Sequence, residues 1–308
     1  MHQMLKIRGI SIDRESVRIA LKELDPEGVL KRSTHKFRRR KYVSKGPNYI
    51  WHLDGYDKLK PFGLAIHGAI DGYSRKILWL EVGSSNNNPK IIASFFLNAT
   101  KNYELAPRCI RVDRGSENVV IEGIQRFLRT AHENVDVHTS FRYGPSTRNQ
   151  RIESWWSIFR RNRCNWWINF FKDLCDETIF DPSIPYRVGF LRFCFIGIIQ
   201  TELDETRILW NNHYIRKSRN AESPAGRPNV LFFTPTLSGG EECKFPLNNL
   251  DYLNIANEMA EEPLLFGCSN EIVEFASIIM QENDISVPKN ATEAKTLLLR
   301  LIQEISNM

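Results

Sequence analysis

Between residues 47 and 150 the sequence switches back and forth between two periodicities, and this alternation constrains the fold more than any other feature. "YIWHLD" (49–54) is a short β-branched and aromatic run that stops at an aspartate. "GLAIHGAID" (63–71) and "KILWLEV" (76–82) flank "GYSR" as the two strands of a hairpin would. The spacing then becomes helical: "PKIIASFFLNATKNY" (89–103) opens on proline and repeats apolar residues every three or four positions. "CIRVD" (109–113) returns to strand, "ENVVIEGIQRFLRTA" (117–131) to helix and "VDVHTS" (135–140) to strand, and a long helix is expected from about Thr147. The order β-β-β-α-β-α-β-α predicts an α/β fold, a mixed sheet with helices on both faces.

The flanks are helical. "HQMLKIRGISIDRESVRIALKELDPEG" (2–28) reads as helix, turn, helix, with Gly9 as the break and Asp13 as the cap of the second helix. It is an incomplete helix-turn-helix or a helical hairpin. "KRSTHKFRRRKYVSKG" (31–46) carries eight Lys/Arg and no acid, a linker suited to phosphate contact or a nuclear-import signal. Residues 184–214 read as a largely apolar helix, 218–233 as an extended connector, and the remainder as short helices that include 291–305. The expected divisions are a helical segment at 1–30, a basic linker at 31–46, a core with helical extension at 47–215, a connector at 216–240 and an acidic helical tail at 241–308.

Charge separates these parts. Residues 241–308 hold 4 Lys/Arg against 12 Asp/Glu, whereas residues 1–240 hold 38 against 24. A basic body favours a polyanionic partner, nucleic acid before others. The six cysteines form no CxxC pair and no pattern with the seven histidines, so neither a structural zinc nor a disulfide framework is expected. The longest apolar stretch, "VGFLRFCFIGII" (188–199), contains Arg192 and is too short to span a bilayer, so no membrane partner is expected. With no signal peptide evident, the expected compartment is intracellular and reducing, and the basic run together with the substrate class makes it nuclear.

Three acids stand out by position. Asp54 closes the first strand and Asp113 the fourth, while Glu153 lies in the first turns of the helix after "GPSTRNQ". A sheet of this order allows the first and fourth strands to be neighbours, with Asp54 and Asp113 side by side, and a helix packed across it could bring Glu153 to the same point. Converging carboxylates repel unless a cation neutralises them, and hard oxygen ligands suit Mg²⁺ or Mn²⁺. Two such ions, about 3.5–4 Å apart, serve in-line phosphoryl displacement.

At this point a resemblance enters. Residues 47–160 resemble the catalytic core of the retroviral integrase and bacterial insertion-sequence transposase superfamily, the DDE enzymes with an RNase H-like fold. "IWHLDGYD" is similar to the first-aspartate strand, "AIDGYSRKILWLEV" to the hairpin, "RVDRGSEN" to the second-aspartate motif, and "PSTRNQRIESWW" to the motif in which an asparagine precedes the catalytic glutamate. Eukaryotic transposon-derived integrase-core proteins look most similar. The resemblance implies a five-stranded RNase H-like sheet, DNA as partner, a homo-oligomer, two Mg²⁺ (or Mn²⁺) per site and a catalytic, metal-binding triad of Asp54, Asp113 and Glu153. It implies metal-dependent DNA cleavage and strand transfer; alternatives are an inactive transposon-derived DNA-binding or scaffold protein, or a nuclease without strand transfer. The chain departs from the pattern at Arg114, at Asn118, in the 39 residues between Asp113 and Glu153, and in having no His/Cys zinc module before the core.

Candidate DNA contacts are Arg38, Arg39, Arg40 and Lys41 in the basic run, Arg114 beside the second acid, and Arg148, Asn149 and Arg151 around the last motif. Asn149 and Glu153 share a helix face, so the amide is expected either to orient the carboxylate or to touch DNA. Asp57 and Asp71 read as turn residues and Glu117 as a cap. The aromatic run 155–171, interleaved with Arg160, Arg161 and Arg163, reads first as packing or an oligomer seam and second as a base-stacking surface.

Overall fold

The computed structural model describes the chain except residues 1, 3–4, 6–8, 35–42, 131–135, 146–147, 218–222, 248–249 and 308. It divides into two compact units, Met1–Lys41 and Tyr42–Met308. In the first, α1 (Arg14–Leu24) is capped by Asp13, whose carboxylate accepts from the Glu15 and Ser16 amides at 2.8 and 2.9 Å. Asp25 ends that helix, and Pro26 opens α2 (Pro26–Thr34), where proline's fixed φ and missing N–H cost nothing. The helix expected ahead of Gly9 lies mostly outside the described residues.

The second unit is built on a mixed five-stranded sheet of RNase H-like topology. Its strands are β1 (Trp51–Tyr56), β2 (Ala65–Asp71), β3 (Ile77–Gly83), β4 (Ile110–Val112) and β5 (Phe141–Tyr143), in the order β3-β2-β1-β4-β5. β1, β2 and β3 pair antiparallel; β4 lies parallel to β1, and β5 parallel to β4. The β2–β3 turn is organised by Asp71, which is buried. Its carboxylate accepts from the backbone amides of Asn48 at 2.7 Å, Tyr73 at 3.1 Å and Ser74 at 2.7 Å, and from the Ser74 hydroxyl at 2.7 Å. The turn role expected for it is thus the one it fills.

Helices cover both faces. Beneath one lie α3 (Pro89–Tyr103) and α4 (Val119–Thr130), which bury Phe96, Ile121, Ile124 and Leu128 against Trp51 and Leu53. Across the other run α5 (Gln150–Phe159), a π-helical turn (Arg160–Cys164), α6 (Asn165–Asp176) and the 28-residue α7 (Pro185–Asn212). After α8 (Pro228–Phe233) and α9 (Leu250–Asn257), helices α10 (Asn270–Glu282) and α11 (Ala291–Ser306) add Ala276, Ile279, Leu297, Leu298 and Leu301 to the core that holds Phe190 and Phe195. The acidic residues of these last helices face water while their apolar stripe completes the same core.

β3 is an edge strand, and α7 closes that edge with side-chain amides. Gln200 accepts from the Val82 amide and donates to the Leu80 carbonyl, each at 3.0 Å. Asn211 accepts from the Ile77 amide at 2.8 Å and donates to the Ile77 carbonyl at 2.9 Å. The spacing matches: helix rises about 1.5 Å per residue and strand about 3.3 Å, so the helix between the amides and the strand between their partners both span roughly 16 Å. Peptide groups that would otherwise template another strand are thereby satisfied.

Two local expectations need correction. The strand expected at 135–140 is displaced to Phe141–Tyr143, because Asp136 caps a 3₁₀ turn over Val137–Ser140 and accepts from the His138 amide at 3.0 Å. A local side-chain acceptor there competes with the ladder. The connector expected to be extended over 218–233 contains helix α8, which Pro228 starts and which buries Leu231 and Phe232.

Candidate active site

Strand periodicity builds the site from β1. Trp51 and Leu53 point to the α3/α4 face, where the Trp51 indole donates to the Asn48 side-chain oxygen at 3.0 Å. His52, Asp54 and Tyr56 therefore point to the α5 face. β1 pairs with β4 through Trp51 opposite Ile110 and His52 opposite Arg111. Continuing that register by two residues sets Asp54 level with Asp113, on strands about 4.8 Å apart. Glu153 arrives from α5, in its first turn.

Asn149 locks α5 onto β1. It is 1% exposed; its side-chain N–H donates to the Leu53 carbonyl at 2.7 Å, and its side-chain oxygen lies 2.7 Å from His52 Nδ1. With the amide nitrogen committed to Leu53, His52 Nδ1 must be the donor in the second contact, which fixes the tautomer. His52 is buried, and burial pushes its pKa down to about 3, so the ring stays neutral. The expectation that Asn149 touches DNA is therefore corrected: both ends of its amide are engaged inside the protein, between the strand that carries Asp54 and the helix that carries Glu153.

One turn beyond Glu153, the Trp156 indole donates to Asp54 Oδ2 at 3.1 Å. Gly68, paired opposite Asp54, makes this contact possible. A Cβ at Gly68 would lie 2.9 Å from Leu80 Cδ2 and 3.0 Å from Trp156 Cη2, so a side chain there would press on both.

The carboxylates sense one another. Burial, then the charge of Glu153, then that of Asp113 push the Asp54 carboxyl up to about 8, against the pull of the Trp156 and Gly55 hydrogen bonds. Glu153 is raised by burial and by Asp113. All three are half-buried. Among the described residues no three His, Cys, Asp or Glu side chains converge closely enough to enclose a metal ion. The acids share a pole of the sheet and an electrostatic environment, and their donor set is made of carboxylate oxygens.

The flanking residues differ in what they offer. Arg114 and Arg148 are exposed beside the acids. Arg151 is half-buried and hydrogen-bonds the Ser223 hydroxyl, which ties α5 to the segment before α8. Arg38, Arg39, Arg40 and Lys41 lie outside the described residues. Glu117 folds back over Gly115, where a Cβ would meet its carboxylate at 1.9 Å, and accepts from the Asn118 side-chain Nδ2 at 2.9 Å. In the aromatic run Trp155, Trp156 and Trp167 are buried, as packing requires, while Trp166 is 54% exposed.

Sequence reasoning missed His52, Gly68 and Trp156. His52 had a usable signal, since its parity along the strand matches that of Asp54. The indole contact depends on the angle at which α5 crosses the sheet, which no local pattern encodes.

A comparison with curated proteins finds no match. Among the described residues no helix is long and apolar enough to cross a membrane. Residues 41–241 match the integrase core domain, a family of DNA-binding, polynucleotidyl transferase-type proteins that generally use divalent metals. The match takes in the sheet, α3 to α7 and the segment through α8, so the chain belongs to the integrase core domain family.

Proposed function

We propose that this chain is a DDE-type integrase or transposase that cleaves DNA strands and joins them, with Asp54, Asp113 and Glu153 as its catalytic, metal-binding residues. The observation that carries this reading is the register of β1 on β4, which sets Asp54 level with Asp113 while α5 presents Glu153; burial, then the charges of Glu153 and Asp113, push the Asp54 carboxyl up to about 8. Such a set gains most from a divalent cation, and its oxygen donors fit Mg²⁺ or Mn²⁺. When bound, these ions supply nucleophile activation and charge neutralisation for an in-line phosphoryl displacement.

The protein's own groups position the rest. Trp156 fixes the Asp54 carboxylate, and Asn149 fixes the helix that presents Glu153. Arg114 and Arg148 would hold DNA phosphates, a role that their exposure supports. Further along α5, a cleft of about 930 Å³ runs between the π-helical turn and the end of α7. Trp210 and Tyr214 form one wall and Arg161, Arg163 and Arg216 the rim, a composition suited to a displaced single strand. The exposed Trp166, stacked on Phe170 with centroids 5.1 Å apart, suits the subunit contact of a homo-oligomer. The basic run at 31–46 suits nuclear import.

End-labelled DNA incubated with the protein and Mn²⁺, and resolved on a denaturing gel, tests this reading. Cleaved and joined products from the wild type, absent with Asp113→Asn, support it. Cleavage without joining identifies a nuclease instead, and tight DNA binding with neither product identifies a non-catalytic DNA-binding protein.

A further inference from the structure

The opposite pole of the sheet carries a feature that phosphoryl transfer does not use. β1, β4 and β5 are parallel, so their starting ends lie together, away from Asp54 and Asp113. There Arg108, just before β4, Arg142, on β5, and Arg129, in the last turn of α4, line a cavity of about 220 Å³. Tyr49, Cys109 and Phe245 complete much of the wall.

Arg129 is anomalous. It is 2% exposed, yet its Nε and Nη1 are buried without a hydrogen-bond partner. Its guanidinium carbon lies 3.1 Å from the centroid of the Phe245 ring. A ring face attracts the cation but accepts none of its in-plane N–H groups. Burial, with the charge of Arg108, lowers its pKa to about 10, which still leaves it cationic at neutral pH. Among the described residues neither Arg108, Arg129 nor Arg142 forms an ion pair. Arg111 stands opposite Arg142 in the β4–β5 ladder, which adds a fourth positive charge. Among the described residues the cavity wall has one carboxylate, Asp136, and its Oδ1 already accepts from the His138 amide at 3.0 Å. A buried, unmatched guanidinium with unsatisfied donors is strongly unfavourable unless an anion joins it.

We infer that this cavity is a binding site for a small phosphate-class anion, with Arg129 at its base and the exposed Arg108 and Arg142 at its mouth. The guanidinium fork matches phosphate oxygens in pairs, and Arg129 keeps two buried nitrogens, Nε and Nη1, with nothing else to bond. The depth of Arg129 favours a free anion or a terminal phosphate over an internal backbone phosphate, whose flanking sugars block entry. The site is distinct from the carboxylate pole and stands whether or not the chain joins DNA.

Thermal melting of the whole chain in sodium phosphate or pyrophosphate, against sodium chloride of equal ionic strength, tests it. Tm is expected to rise with the logarithm of phosphate or pyrophosphate concentration and not with chloride. Arg108→Ala and Arg142→Ala, at exposed positions that folding tolerates, should each weaken that response about five- to tenfold. Arg129→Met should abolish it while raising the anion-free Tm, since an unmatched buried charge is removed. Competition by a duplex with 5′-phosphate ends, but not by one with 5′-hydroxyl ends, identifies a DNA terminus as the source; competition by neither identifies a free phosphate compound. An equal response to phosphate and chloride, or a phosphate response that survives Arg108→Ala and Arg142→Ala unchanged, overturns the assignment.

Discussion

Replacing Asn149 with alanine removes the clamp between β1 and α5. The substitution leaves His52 Nδ1 without the acceptor now at 2.7 Å and the Leu53 carbonyl without the donor now at 2.7 Å. His52 is 0% exposed and Leu53 1%, so water cannot replace either partner without opening the structure. Each buried group left unsatisfied costs about 1–3 kcal/mol, for a loss of roughly 2–6 kcal/mol. That is a large fraction of the roughly 5–15 kcal/mol that stabilises a typical domain. Equilibrium urea unfolding measures it as a lower midpoint at unchanged slope. The same change frees the start of α5, and a shift of about 1 Å at Glu153 is expected to lower strand joining on the order of 100-fold. DNA affinity, read by filter binding, should stay within about twofold. Were Asn149 a DNA contact, the pattern would invert: affinity would fall and stability would change by less than about 0.5 kcal/mol. That result would refute the clamp.

Other parts of the structure lead to separate expectations. Gly68→Ala places a methyl group 3.0 Å from the Trp156 ring, so stability should fall by about 1–3 kcal/mol, with a change in tryptophan fluorescence as the indole leaves Asp54. His67 is buried with its pKa pushed down to about 3, and its Nδ1 accepts from the Trp79 indole at 3.1 Å. Because the native ring stays neutral while the unfolded ring protonates near pH 6.5, His67 destabilises the fold as pH falls from there toward 3. The stability difference between wild type and His67→Gln should therefore shift by about 1.4 kcal/mol per pH unit across that window; a difference independent of pH contradicts it. Asn211→Leu strips both edge partners from Ile77, which should cost about 2–4 kcal/mol and add concentration-dependent association detectable by light scattering.

Local chemistry made much of this fold legible. Strands β1 to β3 and helices α3, α7 and α11 follow the apolar periodicity to within about two residues. The three acids were visible because each falls at a strand end or in a first helical turn. What stayed hidden depends on distant partners. Gln200 and Asn211 look like ordinary helix amides until the edge of β3 is beside them. The sequence offers Asn149 only Glu153 or DNA as partners, because its actual ones, His52 and Leu53, lie nearly 100 positions away. Asp136 displaced β5 through one side-chain hydrogen bond, a competition that residue counting does not resolve.

The most direct test of the catalytic reading is crystallographic. A crystal of the wild-type chain soaked in millimolar MnCl₂ and measured at the manganese edge should show anomalous density bonded to the carboxylates of Asp54 and Asp113, with Glu153 completing the site, and Asp113→Asn should lose that density. Anomalous density absent from this pole, in crystals of protein that still cleaves and joins DNA, would contradict it.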